Sequence, residues 1–146
     1  MLPFGGGEDI DSFLNIDYFD NSGRALYLVI DSDKHTNNNE KQNQRAQDFS
    51  DRKTNGKAYV LNKSCIENYY HPRAFERYYG LEENSFTSLG EADNVKAIIK
   101  AYKADNSITQ NVKEKNNFEV FEAMTQSEWQ ETVEAELVSF LREIVQ

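Results

Sequence analysis

The chain has 146 residues and a formal net charge of −9 at pH 7, a length that suits one domain burying about two thirds of its unfolded surface. The single cysteine, Cys65, excludes an internal disulfide, and without a charged-then-apolar leader or a run of roughly 20 apolar residues we expect a cytoplasmic protein with no membrane span. The acidic charge argues against a broad basic face for nucleic acid. It leaves open a phosphate substrate, provided that metal ions neutralise the phosphate charge and a partner protein binds the rest of the substrate.

The first half of the chain alternates between strand and helix patterns. In chain order these patterns predict strand, helix, strand, helix and strand over residues 1–4, 8–14, 25–30, 45–53 and 57–61. Residues 34–44 are rich in Asn and Gln and predict an irregular, mobile loop. Because parallel strands joined by right-handed crossover helices produce this alternation, we predict an α/β fold with a largely parallel sheet flanked by helices.

The second half predicts mainly helices, and we expect one domain over 1–146 in which residues 93–146 are mostly helical. The predicted segments are short helices over 64–70 and 72–79, a helix over 93–102, an irregular stretch over 103–117 and a final helix. Thr125 and Glu128 match a capping box at the start of that final helix. Apolar residues then recur at three- and four-residue intervals, which predicts a core or docking face: Trp129, Val133, Leu137, Phe140, Leu141 and Ile144.

The most informative segment is the apolar run over 25–30, which stops at Asp31 and Asp33. Such a run indicates a strand buried on both faces, and α/β sheets bind ligands at the carboxyl ends of their strands. Side chains two residues apart on an extended strand face the same side, so both carboxylates are candidates for binding one hard cation, Mg²⁺ or Mn²⁺. The Asp-x-Asp pattern alone also occurs in sugar-nucleotide transferases, in phosphatases of the haloacid dehalogenase type and in chance surface turns.

Three segments in order resemble the Toprim domain of the overcoming-lysogenization-defect (OLD) family of nucleases, the half that follows an ABC-type ATPase in those proteins. They are PFGGG over 3–7 with the helix after it, LVIDSD over 28–33, and YVLNKSCIENYY over 59–70. The likeness covers residues 1–75. It implies a Toprim-like fold, of which this chain is the C-terminal part, and a metal-dependent DNA endonuclease or nicking module in phage defence or repair.

The resemblance also implies roles for individual residues. It makes Asp31, Asp33 and Glu67 ligands of Mg²⁺ or Mn²⁺. It makes Lys115, with Lys113 as the alternative, the lysine that assists at the phosphate. DNA and an ABC-type ATPase domain or subunit are the implied partners, and assembly with further copies of this chain stays open.

One departure from the family pattern concerns its first strand, which ends in a glutamate, usually within Glu-Gly-x-x-Asp, ahead of the glycine turn. This chain lacks that segment, and Glu8 follows the glycines instead. The chain is then a fragment, or receives the strand from another polypeptide, or has lost the activity. The alternative function is therefore a catalytically incomplete structural module that docks a partner.

Several other residues have simpler interpretations. We interpret Cys65 as a small buried residue and His35 and His71 as surface histidines, with His35 close enough to Asp33 to touch a substrate. Paired tyrosines at helical spacing more often pack a core edge than stack on bases, as we expect of Tyr69, Tyr70, Tyr78 and Tyr79. A haloacid dehalogenase phosphatase would carry Thr or Val at the position of His35.

Overall fold

Two parallel strands joined by a helix position the polar segments considered below. A computed structural model describes residues 25–52, 55–86, 88–108 and 117–144, so the strand and helix predicted over 1–4 and 8–14 lie outside the described residues. Strand β1 spans Leu26–Ile30, helix α1 spans Asn39–Arg52 and strand β2 spans Gly56–Val60. The strands pair in parallel with Leu28 opposite Ala58, and within the described residues the sheet has two strands. A mixed α/β fold with parallel pairing is thereby confirmed.

Helix α1 covers one face of this pair, where Phe49 is buried against Leu26, Leu28 and Ala58. The helix starts at Asn39, so the prediction of an irregular loop is wrong over 39–44, and Lys34–Thr36 form a 3₁₀ turn before it. Side chains one turn apart stabilise this polar helix, as in the bond that Gln44 Nε2 donates to Asp48 Oδ1 at 2.8 Å. Tertiary packing and these pairs outweigh the loop-like composition.

Among the described residues after β2, the regular elements are helices, with a 3₁₀ turn at Ile66–Tyr69. They are α2 Pro72–Tyr79, α3 Val95–Asp105, α4 Asn117–Glu122, α5 Gln126–Trp129, a π-helical turn Gln130–Glu134, and α6 Ala135–Ile144. The capping box at Thr125 and Glu128 is confirmed. So is the helix start at Pro72, and Gly80 ends α2 with a φ of 63°, in the left-handed region where glycine carries no steric penalty. None of the described helices is long and apolar enough to span a membrane.

The second face of the sheet packs against α6, whose Phe140 ring lies 5.0 Å from the Tyr59 ring and 5.9 Å from the Tyr27 ring. The apolar stripe of the last helices is therefore partly core. Its buried members are Val133, Leu137 and Phe140, whereas Trp129 and Leu141 are 39% and 44% exposed. Tyr69 and Tyr70 are buried as expected of a core edge.

Strand β1 is less buried than its apolar run predicts. Ile30 is its one buried residue, and Val29 is 44% exposed. Side chains alternate between the two faces of a strand, so Val29 lies on the face that carries Tyr27, at a place that the described helices leave uncovered. The prediction of a strand buried on both faces is therefore wrong for the described residues.

Candidate functional site

The two strands end side by side, and short hydrogen bonds hold together the polar segments that follow them. Ser32 Oγ donates to the Lys63 carbonyl at 2.7 Å, and the Asp33 amide donates to the Ser64 carbonyl at 2.9 Å. We call Asp31, Asp33, His35, Ser64 and Glu67 the strand-end cluster. Because the strands are parallel, this cluster lies at the carboxyl edge of the sheet, where α/β folds bind ligands.

Asp31 and Glu67, which follow different strands, interact electrostatically in this cluster. Asp31 is an exposed residue whose Oδ1 accepts a hydrogen bond from the Ile66 amide at 3.1 Å. Desolvation of the carboxyl by the surrounding protein atoms, followed by the negative charge of Glu67, raises the pKa of Asp31 to about 6. A desolvated carboxyl beside a second carboxylate is suited to bind a hard cation, because oxygen is the ligand that such cations prefer.

Asp33 joins the cluster through its loop rather than through strand alternation. Strand β1 ends at Ile30, and Asp33 has a left-handed backbone with a φ of 50°, so the same-side rule for extended strands does not apply to Asp31 and Asp33. The Asp33 carboxylate accepts a hydrogen bond from Gln42 Nε2, and its charge adds to the raised pKa of Asp31. It is therefore near Asp31, with one oxygen already occupied.

Glu67 lies on the 3₁₀ turn Ile66–Tyr69, half-buried and next to the buried thiol of Cys65. The Asn68 side chain fixes this turn. Its Oδ1 accepts from the Cys65 amide at 3.0 Å, and its Nδ2 donates to the Gly90 carbonyl at 2.7 Å. The turn that carries Glu67 is therefore anchored to the loop ahead of α3.

Cys65 is expected to be unreactive in the folded protein. Burial first, and then the hydrogen bond and charge of Glu67, raise the pKa of the Cys65 thiol to about 12, so at about pH 8 only about one thiol in ten thousand is ionised. We expect a maleimide or iodoacetamide reagent to modify native protein at least about 100-fold more slowly than protein unfolded in urea. Equal rates of Cys65 modification in native and urea-unfolded protein would contradict a buried thiol with a raised pKa.

The structure places other lysines at the strand ends, while Lys115 and Lys113 lie outside the described residues. Lys96 on α3 is close enough for its charge to oppose the raised pKa of Asp31. Lys63 is held by the Asn68 carbonyl at 3.1 Å, and burial lowers the pKa of its ammonium group. No motif marks Lys96 in the sequence. Lys63 lies within the segment over 59–70 that resembles the Toprim pattern, but the resemblance gives it no role.

Glu136 is a further carboxylate that sequence reasoning missed. From α6, its Oε1 accepts from the Asn62 amide at 2.7 Å and from the Tyr59 hydroxyl at 3.1 Å, and its Oε2 accepts from the Tyr69 hydroxyl. These bonds tie the last helix to the end of β2. Glu136 thus supports the segment that carries Lys63 and Ser64, and its place in the apolar helix pattern gave no sign of this contact.

The two histidines are both held by neighbours. His71 precedes α2, where its Nδ1 accepts from the Arg73 amide at 3.2 Å and lies 3.3 Å from Glu128 Oε1. His35 bonds to Ser64 in the strand-end cluster. The interpretation as simple surface residues is therefore incomplete for both.

Across the described ranges, no three side chains of His, Cys, Asp or Glu converge tightly enough to form a ready metal site. The carboxylate pair of Asp31 and Glu67, with Asp33 nearby, is the part of the cluster whose chemistry fits a hard cation. A scan against protein-family models, a search of curated proteins and a search of solved structures each return no match.

Proposed function

We propose that this chain is a metal-dependent phosphodiesterase module, in which Asp31, Asp33 and Glu67 bind Mg²⁺ or Mn²⁺ at the strand ends. One observation carries this proposal. The carboxylates of Asp31 and Glu67 follow different strands and interact at the same edge, where desolvation first and then the charge of Glu67 raise the pKa of Asp31 to about 6. Perturbed carboxylates at a ligand-binding edge mark candidate functional sites, and a shared cation is the simplest way to relieve their repulsion.

The carboxylates of the cluster and two of their neighbours have defined tasks in such a module. A divalent ion, when bound, supplies positive charge at the scissile phosphate and activates the attacking water. Asp31 and Glu67 would hold the ion with one carboxylate from the end of each strand. Gln42 orients the Asp33 carboxylate, and Lys96 brings a cation to the same edge.

The resemblance of residues 1–75 to Toprim domains of OLD-family nucleases supports the finer parts of the proposal. It favours a Toprim-like sheet, DNA as the substrate and an ABC-type ATPase as the partner, in phage defence or repair. The net charge of −9 also favours a partner, because an acidic chain repels the phosphate backbone of DNA and needs a second, basic surface to bind it.

Binding of Mn²⁺ followed by calorimetry, together with nicking of supercoiled plasmid, tests this proposal. We expect saturable binding, and we expect Asp31→Asn and Glu67→Gln to weaken binding and cleavage by at least about 100-fold, since each removes a negatively charged oxygen ligand. Asp51→Asn is the matched control, because Asp51 is exposed on α1 and bonds only to Gln47 in the described chain. Equal binding in all three variants, or none in the parent chain, would overturn the assignment.

A second candidate is the incomplete module that docks a partner. The exposure of Trp129 and Leu141 on the last helices favours it, because large exposed apolar side chains often mark contact surfaces. Light scattering across protein concentrations tests its self-associating form. We expect assembly that Leu141→Glu reverses, and a monomer at every concentration would contradict it.

A further inference from the structure

Ser64 and His35 form a hydrogen-bonded pair within the strand-end cluster. His35 lies on the 3₁₀ turn Lys34–Thr36, and Ser64 follows β2 with a side chain that is fully buried. Ser64 Oγ accepts a bond from the His35 backbone amide at 3.0 Å and lies 2.5 Å from Nδ1 of the same imidazole. One hydroxyl therefore bonds to both the backbone and the ring of His35, and this fixes the orientation of the ring.

This arrangement determines which ring nitrogen carries the proton. A serine hydroxyl has one hydrogen to donate, and a buried donor needs an acceptor. The His35 amide takes an acceptor position on Ser64 Oγ, and His35 Nδ1 is the one acceptor that the described residues offer to the hydroxyl hydrogen. Ser64 therefore donates to Nδ1, and the neutral imidazole carries its hydrogen on Nε2.

The opposite edge of the ring is then a hydrogen-bond donor that faces away from Ser64. His35 is half-buried, and none of the described residues bonds to its Nε2. A metal ion needs a nitrogen lone pair. In His35 the lone pair of Nδ1 is engaged by Ser64, and Nε2 is protonated. The pair therefore presents an N–H group at the end of the strands, where Ser64 follows β2, and such a group is suited to an anionic oxygen.

We propose that His35 is a phosphate-contacting residue, which donates its Nε2–H to an oxygen of the substrate phosphate while Ser64 fixes the ring. This inference rests on the proposed function and adds a phosphate contact to it. His35 does not serve as a metal ligand in this arrangement. It supplies a neutral donor at an edge where Asp31, Asp33 and Glu67 would otherwise repel a phosphate.

Nitrogen-15 NMR of the imidazoles tests the tautomer directly, since the chain has two histidines and His71 serves as the control in the same sample. At about pH 8, where an ordinary histidine is neutral, we expect His35 to show a protonated Nε2 and an unprotonated Nδ1 in metal-free protein. Ser64→Ala is expected to give a mixture of tautomers at His35 and to leave His71 unchanged. A dominant Nδ1–H form in the parent chain would overturn the proposal.

Titration with inorganic phosphate and with a short thymidine oligonucleotide, each with and without Mg²⁺, tests the contact. We expect a saturable shift at His35 Nε2 with at least one probe, no shift at His71, and about tenfold weaker binding in Ser64→Ala. A shift with the oligonucleotide assigns the contact to a phosphodiester, and a shift with inorganic phosphate alone assigns it to a free or terminal phosphate. Loss of the Nε2 proton on addition of Mg²⁺ alone would show a metal ligand, and that result, or no shift with either probe, would overturn the proposal. The tautomer is measured in metal-free protein and needs no cleavage. A failure of the nuclease assay would therefore overturn the proposed function without changing the result of the tautomer measurement.

Discussion

Replacement of Glu76 by alanine is expected to lower the free energy of unfolding by about 3 kcal/mol, because it leaves buried donors without their acceptor. Glu76 is 2% exposed. Its carboxylate accepts from the Phe86 amide at 2.8 Å and the Asn84 amide at 3.2 Å, and from Arg73 Nη1 at 2.7 Å. Urea unfolding followed by circular dichroism measures the loss.

The effect should extend beyond α2, since the loop that Glu76 anchors carries a core aromatic ring. Phe86 stacks on Phe75 at 4.2 Å and contacts Tyr102 of α3 at 5.3 Å. Loss of the anchor therefore loosens the contact between α2 and α3. Glu83→Ala is the matched control, because Glu83 is 81% exposed and 4.0 Å from Arg73, and an exposed pair contributes about 0–1 kcal/mol. Equal losses in the two variants would contradict the anchoring role.

The contribution of the Glu76 charge should also decrease in acid. Burial by itself would raise the pKa of Glu76, but hydrogen bonds from Phe86 and Arg73 outweigh burial and lower it from the ordinary 4.5. A carboxyl with a lowered folded pKa stabilises the protein fully above its unfolded pKa, and the stabilisation is lost as the pH falls through the folded pKa. The difference between the parent chain and Glu76→Ala should therefore be constant near neutral pH and shrink below pH 4.5.

The sequence predicted those elements whose local signals agree with their tertiary environment. The Pro72 start and Gly80 end of α2, and the capping box at Thr125, depend on neighbouring residues alone, and each was found where its signal stood. The start of α1 was missed because Asn and Gln have loop-like propensity, while the contacts of Phe49 and Gln42 that hold the helix come from distant residues. Propensity is a weak prior that such contacts override.

The candidate site was predictable in position but not in detail. A run of apolar residues ending at aspartates located the carboxyl edge, and the parallel pairing confirms that such an edge exists. The contacts of Glu136 and the Ser64–His35 pair link residues far apart in the chain, and no local pattern encodes them. The left-handed backbone at Asp33 likewise depends on the loop that holds it rather than on the strand before it.

The second prediction of large effect concerns Asp31, whose replacement by asparagine is expected to stabilise the metal-free protein above pH 6. The pKa of Asp31 rises from 3.8 to about 6 on folding, mainly through desolvation and then through Glu67. A carboxyl with a raised folded pKa contributes its full stability below the unfolded pKa, and that contribution is lost as the pH rises through the folded pKa. A shift of this size corresponds to at most about 3 kcal/mol, which the exposure of Asp31 reduces to about 1 kcal/mol.

Asparagine isolates the charge, because its Oδ1 can still accept the bond from the Ile66 amide. We expect the Asp31→Asn variant and the parent chain to unfold at the same urea concentration near pH 4 and to separate between pH 4 and 7, with Asp51→Asn following the parent chain throughout. If the urea midpoints of the two proteins differed by the same amount at every pH, Asp31 would not have a raised pKa in the folded protein.

Addition of Mn²⁺ should reverse the order of stability, since a ligand that binds the folded state stabilises it by an amount that grows with its affinity and its concentration. The parent chain is expected to gain stability with Mn²⁺ and to exceed Asp31→Asn, which loses the charged ligand. A carboxylate that destabilises the empty fold and stabilises the loaded one is hard to explain as part of the core. It is expected of a binding site, because side chains positioned for a ligand often destabilise the folded protein when the ligand is absent.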